Sequence, residues 1–285
     1  MSSSENPLLD NIIKQLTIYF GITVLVAGVI GGALNIIVFL SLKTFRQSAC
    51  AFFLTIMSFV NIGQLIANLL SRIMITGWGI DFTESSSAYC KFRYYCLQFC
   101  ALASYSHMCL ATIDQFLATS LRPRWQQLLT IKRAHFLSIL FLIIWLVHAI
   151  PCLIWYNPVL SRRTGAISCT ITNSIYEKYY AYCYGLTLAG ILPICITVSF
   201  VCLAYRNVRQ IPYRTVPLVR RELDKQLTSM VLVQVVHNFV VIVPYISVLI
   251  GIYTINPTVQ PSIYSALAYS IRITGLVYYL YFAVS

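Results

Sequence analysis

The sequence predicts an all-α membrane protein: a bundle of seven transmembrane helices with its N-terminus outside the cell. Of the 285 residues, 59% are hydrophobic and only 10% are charged, whereas a soluble domain has about 25% charged residues. Seven apolar blocks are each long enough to cross a hydrocarbon core of about 30 Å as a helix. The basic residues cluster between these blocks, as membrane topology requires.

The apolar blocks follow one another with short connections. They cover residues 12–42, 49–75, 89–117, 134–156, 179–205, 227–253 and 262–284. Because no linker, low-complexity segment or repeat interrupts the series, residues 1–285 are predicted to form one domain, with residues 1–11 as a short extracellular N-terminus. A cleavable signal peptide is not expected, since the first block is too long and no small-residue cleavage site follows it.

The distribution of charge sets the predicted orientation. With the N-terminus outside, the inner loops carry most of the 20 basic residues: Lys43, Arg46, Arg122, Arg124, Lys132, Arg133, Arg206, Arg209, Arg214, Arg220, Arg221 and Lys225. The outer segments carry most of the eight acidic residues: Glu5, Asp10, Asp81, Glu84 and Glu177. The positive-inside rule therefore places the N-terminus outside. This topology accounts for the net charge of +12, and no aromatic-interleaved basic domain points to nucleic acid.

Polar residues inside the blocks recur at helical spacing. The sets are Asn61, Gln64, Asn68 and Arg72 in the second block, Ser104, His107, Ala111 and Asp114 in the third, and Gln234, His237 and Asn238 in the sixth. Residues three or four positions apart share one face of a helix, and polar side chains are costly against lipid. We therefore expect a polar seam inside the bundle, as a receptor or a transporter needs.

Single residues mark characteristic places in the blocks. In chain order they are Asn35, Asn61, Cys90, Trp145, Pro193, Pro244 and Tyr281. By these residues the chain resembles the rhodopsin-like family of G-protein-coupled receptors over essentially its whole length. The resemblance implies a multi-pass protein of the plasma membrane that transduces the binding of an unknown extracellular ligand, peptide or chemosensory, to a heterotrimeric G protein. Asn35 and Asn61 are expected to form hydrogen bonds between the first, second and seventh helices.

The third block spans the membrane from rim to rim. Cys90 and Asp114 are 24 residues apart in the sequence, which corresponds to roughly 36 Å along a helix. In the family, the cysteine at the outer rim pairs with a cysteine of the second outer loop. The resemblance thus implies a disulfide between Cys90 and Cys169, which the oxidising outer face permits. The alternative is two free thiols.

Several motifs depart from the pattern of the family. The Asp-Arg-Tyr triplet reads Asp114-Gln115-Phe116, and Gln115 cannot form the ion pair of the usual arginine. The sixth block keeps Pro244 but lacks the aromatic toggle before it, and the Asn-Pro-x-x-Tyr motif of the seventh block keeps only Tyr281. These five residues are the predicted coupling switch of a divergent member of the family or of one with altered signalling.

Two further expectations concern the inner half. Asp114 is expected to pair with Arg122 or Arg124 of the second inner loop, the alternative being a solvated carboxylate. Asn61 stands where the family usually has an aspartate, and a neutral amide binds a hard cation poorly, so strong sodium modulation is not expected. The basic third inner loop could bind a G protein or anionic headgroups of membrane lipids.

Candidate residues for a ligand pocket lie in the outer half. Arg72 and Arg93 could bind a ligand carboxylate or sulfate, or extend to the outer lipid headgroups. Leu97 and Gln98 lie one turn deeper and could line the pocket. Leu97 stands where amine receptors of the family carry an aspartate, so a cationic amine is not expected. Arg272 lies inside the seventh block, where it is either a pocket or core polar residue or a structural partner.

Other function classes have less support. No lysine lies in the seventh block, so no retinal Schiff base can form there. The histidines share no metal-ligand spacing with a carboxylate, and no metal or other cofactor is expected. A membrane enzyme is disfavoured because HExxH, GxSxG and paired carboxylates are missing. A transporter or channel is disfavoured by the lack of repeated halves, but it stays an alternative, as does a receptor-like protein that no longer couples to a G protein.

Overall fold

The computed structural model describes residues 7–120, 122–160, 167–210, 218–255 and 260–284. Within these residues, seven helices are long and apolar enough to cross a membrane. In chain order, from first to seventh helix, they are Pro7–Ser41, Ala49–Trp78, Ser87–Thr119, Ile131–Trp155, Ser174–Val208, Gln226–Thr254 and Ser262–Val284. The predicted all-α bundle of seven helices is confirmed.

Some residues used to predict the orientation lie outside the described residues. They are Glu5 and Arg214, together with the side chains of Arg209, Arg220, Arg221 and Lys225. The orientation itself therefore stays a prediction.

Side-chain caps fix where several helices begin. The Ser48 hydroxyl accepts a hydrogen bond from the backbone N–H of Ala51 at the start of the second helix, and the Ser86 hydroxyl accepts one from Tyr89 at the start of the third. Such caps satisfy N–H groups that have no partner in the first helical turn. At its other end the second helix stops at Gly79, whose φ of 71° is a left-handed conformation that glycine adopts without strain.

The second and fifth helices are not regular α-helices. π-helical segments occupy Leu65–Leu69 and Ile73–Trp78 in the second helix and Tyr180–Ile191 in the fifth. Smaller interruptions divide the fourth helix into Ile131–His148 and Ile150–Trp155, and the seventh into Pro261–Val277 and Tyr279–Val284. Since a π-turn holds more residues than an α-turn, side chains beyond it face directions that a period of 3.6 does not predict.

The third helix runs through the centre of the bundle, and the fourth runs along its periphery. The most apolar stretch of the third helix has a mean hydropathy of 1.3 and is 72% buried, whereas that of the fourth has 2.6 and is 17% buried. Ser104 and His107 of the third helix are fully enclosed, whereas Phe136 and Ile139 of the fourth are exposed. This inverts the pattern of a soluble protein and confirms the predicted polar seam inside a lipid-facing shell.

A β-hairpin covers one end of the bundle. Its antiparallel strands are Tyr156–Leu160 and Ile167–Ile171, with Pro158 opposite Cys169. A disulfide joins Cys169 to Cys90 at the start of the third helix, with the two Cα atoms 5.8 Å apart. The predicted disulfide is thus confirmed. We call this end of the bundle the outer end and the opposite end the inner end, after the predicted orientation.

Candidate functional site

A cavity of about 340 Å³ lies at the outer end, between the second, third, fifth, sixth and seventh helices. Eight tyrosines from several elements form much of its wall: Tyr94, Tyr156, Tyr180, Tyr184, Tyr245, Tyr253, Tyr278 and Tyr279. Aliphatic side chains fill the gaps between the rings. Arg72 and Arg93 also line the cavity, and among the described residues no acidic side chain does.

The guanidinium group of Arg72 is held in the cavity wall by the seventh helix. Its Nη2 donates a hydrogen bond to the backbone carbonyl oxygen of Arg272. Its Nη1 lies so close to Gly275 that a β-carbon at that position would be 2.9 Å away. Arg72 can occupy this place because residue 275 has no side chain. It therefore faces into the bundle, and not outward to the lipid headgroups.

Arg93 and Leu97 reach the cavity from the third helix. Residues four positions apart lie on one face of a helix, which explains why both line it. The Arg93 guanidinium carbon lies 5.7 Å from the centre of the Tyr94 ring, and that ring stacks on Tyr156 at 3.9 Å. Burial raises the pKa of the Tyr156 phenol well above its usual value, so this phenol stays neutral beside the arginines.

Gln98 does not line the cavity, and that prediction is wrong. Its side chain is fully buried behind the cavity, where its Nε2 lies 2.8 Å from Nδ1 of His148 on the fourth helix. Its Oε1 accepts hydrogen bonds from the Cys152 thiol at 2.8 Å and from the Tyr176 hydroxyl at 3.2 Å. Leu97 and Gln98 are adjacent in the sequence, so they point about 100° apart on a helix, and only Leu97 faces the cavity.

Arg272 is a structural partner and lies outside the cavity wall. Its Nη1 is 2.9 Å from Oδ1 of Asp10, in the first turn of the first helix. Its guanidinium carbon also lies 5.6 Å from the centre of the Tyr269 ring. Only the backbone of Arg272 affects the cavity, because its carbonyl oxygen accepts the hydrogen bond that positions Arg72.

Tyrosines link the cavity to the centre of the bundle. Tyr278 lines the cavity, stacks on Tyr245 of the sixth helix at 4.7 Å, and accepts a hydrogen bond of 2.6 Å from the Tyr105 hydroxyl. Nearer the inner end, the Tyr281 hydroxyl lies 2.8 Å from the Ser104 hydroxyl. The third and seventh helices are thus connected through hydroxyl groups, from the cavity to the core.

At the inner end, a neutral hydrogen bond joins the third and sixth helices. Oε1 of Gln115 accepts it from the Thr228 hydroxyl at 2.9 Å, and both side chains are buried. The Phe116 ring lies 5.5 Å from the rings of Trp125 and Phe200. Contacts of the second inner loop and the fifth helix therefore surround the inner end of the third helix.

The sequence model of the 7 transmembrane receptor (rhodopsin family) matches residues 32–279. The chain belongs to this family. A search of curated proteins finds no match to it. Membership, together with the seven membrane helices, makes the chain a multi-pass receptor protein of the plasma membrane.

Most members of this family have an arginine at the position of Gln115. Here the neutral Gln115 accepts a hydrogen bond from Thr228 at the inner end. Asp114 is buried beside them. Its predicted ion pair with Arg122 or Arg124 stays a prediction, and the Arg122 guanidinium carbon lies 5.3 Å from the centre of the Trp125 ring. The sixth helix keeps Pro244, whose side chain is exposed on the outside of the bundle.

The family's buried amide positions form fewer contacts than predicted. Asn61 is buried, but neither its nitrogen nor its oxygen has a hydrogen-bond partner among the described residues, so the predicted interhelical bond of Asn61 is wrong. Asn35 is half-buried. Amides of the second helix pair along the helix instead, since Nδ2 of Asn68 donates to Oε1 of Gln64 at 3.0 Å.

Within the described residues, no group of three or more histidine, cysteine, aspartate or glutamate side chains is placed to hold a metal ion.

The tyrosine-rich wall of the cavity is the feature that could not be recognised from the sequence. The available signal was the number of tyrosines, 20 in the chain, with several near the outer ends of the third, fifth and sixth blocks. Helical period alone could not bring them together, because the fifth-helix tyrosines Tyr180 and Tyr184 belong to a π-helical segment.

Proposed function

We propose that the chain is a receptor that transduces the binding of a small extracellular ligand in the outer cavity to a heterotrimeric G protein at the inner end. The observation that carries this proposal is that the third helix contacts the cavity wall nearer its outer end and the sixth helix at its inner end. Tyr278 belongs both to the cavity wall and to the hydrogen bond with Tyr105 on the third helix. The inner end of that same helix bonds to the sixth helix through Gln115 and Thr228.

A ligand in the cavity contacts the sixth helix directly. Tyr245, Ile246 and Leu249 are part of the wall, and Tyr245 stacks on Tyr278 of the seventh helix. A ligand shifts an equilibrium only by its differential affinity for the two states. A ligand that prefers a displaced Tyr245 therefore favours a displaced sixth helix.

Displacement of the sixth helix requires the Gln115–Thr228 hydrogen bond to break at the inner end. Interhelical hydrogen bonds in membranes contribute about 1 kcal/mol, which corresponds to a population change of about fivefold. Pro244 lies at the level of the cavity, between the lining residues Ile242 and Tyr245, at a place where the helix lacks one backbone hydrogen bond. The sixth helix can therefore bend there, and a modest ligand preference suffices to separate the inner ends.

The proposal is tested by G-protein dissociation reporters in cells that express the chain, after its delivery to the surface has been measured. The matched variants are Gln115→Arg, which restores the family's arginine, and Gln127→Arg, which adds the same charge at an exposed inner-loop position. We expect basal signal from the native chain with at least one G-protein class, and a changed signal from Gln115→Arg but not from Gln127→Arg.

Silence from the native chain and from both variants, at good surface levels, would contradict coupling. A signal from Gln115→Arg alone would favour the second candidate, a receptor-like protein that has lost coupling at the inner end of its third helix. The observation in favour of this second candidate is the buried Gln115 at the position of the usual arginine.

A further inference from the structure

The described wall of the cavity carries positive charge and no negative charge. Arg72 and Arg93 line it, and none of the described residues that line it is acidic. The described acidic residues of the outer end lie outside the cavity wall. Asp10 pairs with Arg272, and the Asp81 carboxylate accepts a hydrogen bond of 2.7 Å from the backbone of Thr83.

Neither arginine can remove its own charge, since a guanidinium is not deprotonated in proteins. The Nε–H groups of both are buried and have no hydrogen-bond partner among the described residues. Buried donors without acceptors are destabilising, and more so when the group is charged. The wall of the cavity therefore lacks an acceptor with negative charge.

The position of Arg72 is fixed before any ligand arrives. The carbonyl oxygen of Arg272 holds Nη2, and the missing side chain of Gly275 leaves the space that Nη1 occupies. A group that is already held in place loses little conformational freedom on binding. The planar fork of an arginine matches a carboxylate in geometry as well as in charge.

The rest of the wall is apolar or aromatic. Leu97, Ile246 and Leu249 stand among the tyrosine rings. The volume of about 340 Å³ is at the small end of the range for small-molecule pockets, about 300–1,000 Å³. The cavity fits a compact body with little polarity, and the charge of its occupant must face Arg72 and Arg93.

We propose that the cavity binds a small amphipathic anion, an aromatic or alkyl body that carries one carboxylate, and that Arg72 and Arg93 hold the carboxylate. This inference rests on the proposed function only in taking the outer cavity as the ligand site. It excludes cationic amines as ligands. The two arginines recognise the carboxylate, and Gly275 leaves the space that Arg72 needs to face it.

The test uses the full chain purified into nanodiscs of zwitterionic phosphatidylcholine, with thermal unfolding as the readout. The probes are phenylacetate, biphenyl-4-acetate and decanoate, each compared with its uncharged primary amide at about 1 mM, where weak ligands still bind. We expect at least one carboxylate to raise Tm by about 2 °C or more, and its amide to have no effect. Equal shifts by acid and amide, or no shift by any of the three acids, would overturn the proposal.

Variants locate the effect. Arg72→Gln and Arg93→Gln are each expected to weaken carboxylate binding about tenfold or more, because a charge-assisted hydrogen bond is lost. Lys91→Gln removes the same charge two residues from Arg93, from a side chain outside the cavity wall, and should leave binding unchanged. A loss in Lys91→Gln as large as in Arg93→Gln would show a general electrostatic effect and overturn the assignment.

Gly275→Ala provides a variant that keeps every charge. Its methyl group would displace the Arg72 guanidinium, so carboxylate binding should fall while the unliganded Tm changes little. Gly63→Ala is its control, since the added methyl would meet the Cys100 sulfur at an ordinary 3.7 Å. Undiminished binding by Gly275→Ala would contradict the role of Gly275 in placing Arg72.

Anionic lipid headgroups are the competing source of negative charge. Nanodiscs that contain phosphatidylserine distinguish the two, because headgroups that occupied the arginines would abolish the carboxylate shift and so overturn the assignment to a free ligand. The binding readout needs no G protein. Carboxylate binding without any reporter signal would support this inference and contradict G-protein coupling. Reporter signal without carboxylate binding would support coupling and contradict this inference.

Discussion

The two ends of the bundle are held together by bonds of different strength. At the outer end, the Cys90–Cys169 disulfide fixes the β-hairpin to the third helix. At the inner end, the Gln115–Thr228 hydrogen bond joins the third helix to the sixth. A native disulfide contributes about 2–4 kcal/mol, whereas an interhelical hydrogen bond in a membrane contributes about 1 kcal/mol. This difference predicts that the outer end is the more rigid of the two, and that the inner end separates at a lower energetic cost.

The largest effect is expected from breaking the disulfide. Cys90→Ser releases the hairpin from the third helix across a sequence separation of 79 residues, and should lower the free energy of unfolding by about 2–4 kcal/mol. Thermal unfolding of the purified chain measures this. Cys195→Ser, at a free and exposed cysteine, is the control. If both variants melt at the native temperature, the hairpin is held by its packing alone and the contrast between the two ends is lost.

A smaller change is expected from removing the inner hydrogen bond. Thr228→Val keeps the shape of the side chain but removes the hydroxyl that donates to Gln115. Basal G-protein signal should rise about fivefold for a loss of about 1 kcal/mol, with at most a similar loss of stability. Thr197→Val is the matched control, because the buried Thr197 hydroxyl donates to Pro193 and Ile194 of its own helix. A raised signal in both variants, or in neither, would refute a specific role for the bond between the helices.

The parts that could be predicted from sequence are those set by local composition and by family landmarks. The apolar blocks gave the seven helices, because a membrane span needs about 20 apolar residues in a row. The polar spacing in the third block placed Ser104 and His107 inside the bundle, where both are fully enclosed. The Cys90–Cys169 bond followed from the resemblance to the family.

The parts that could not be predicted depend on contacts between distant segments. Whether Leu97 or Gln98 faces the cavity depends on a rotation of the third helix that packing decides. Tyr105 and Tyr278 are 173 residues apart in the sequence, and no helical period relates them. The contact between Arg72 and Gly275 likewise needs the second and seventh helices to be adjacent. Sequence could nominate Arg72 for a ligand site, but it could not choose between the cavity and the lipid headgroups.

The smallest effect is expected at the Asp10–Arg272 ion pair, which also belongs to the outer end. Its side chains are 37% and 53% exposed, and an exposed pair typically contributes about 0–1 kcal/mol. A double-mutant cycle with Asp10→Asn and Arg272→Gln should therefore give a coupling energy below about 1 kcal/mol. Both single variants should keep carboxylate binding, because Arg72 bonds to the backbone carbonyl of Arg272, which the substitution leaves in place. A coupling energy several times larger would mean that lipid surrounds the pair, and the frame of the outer end would then depend on this ion pair as well as on the disulfide.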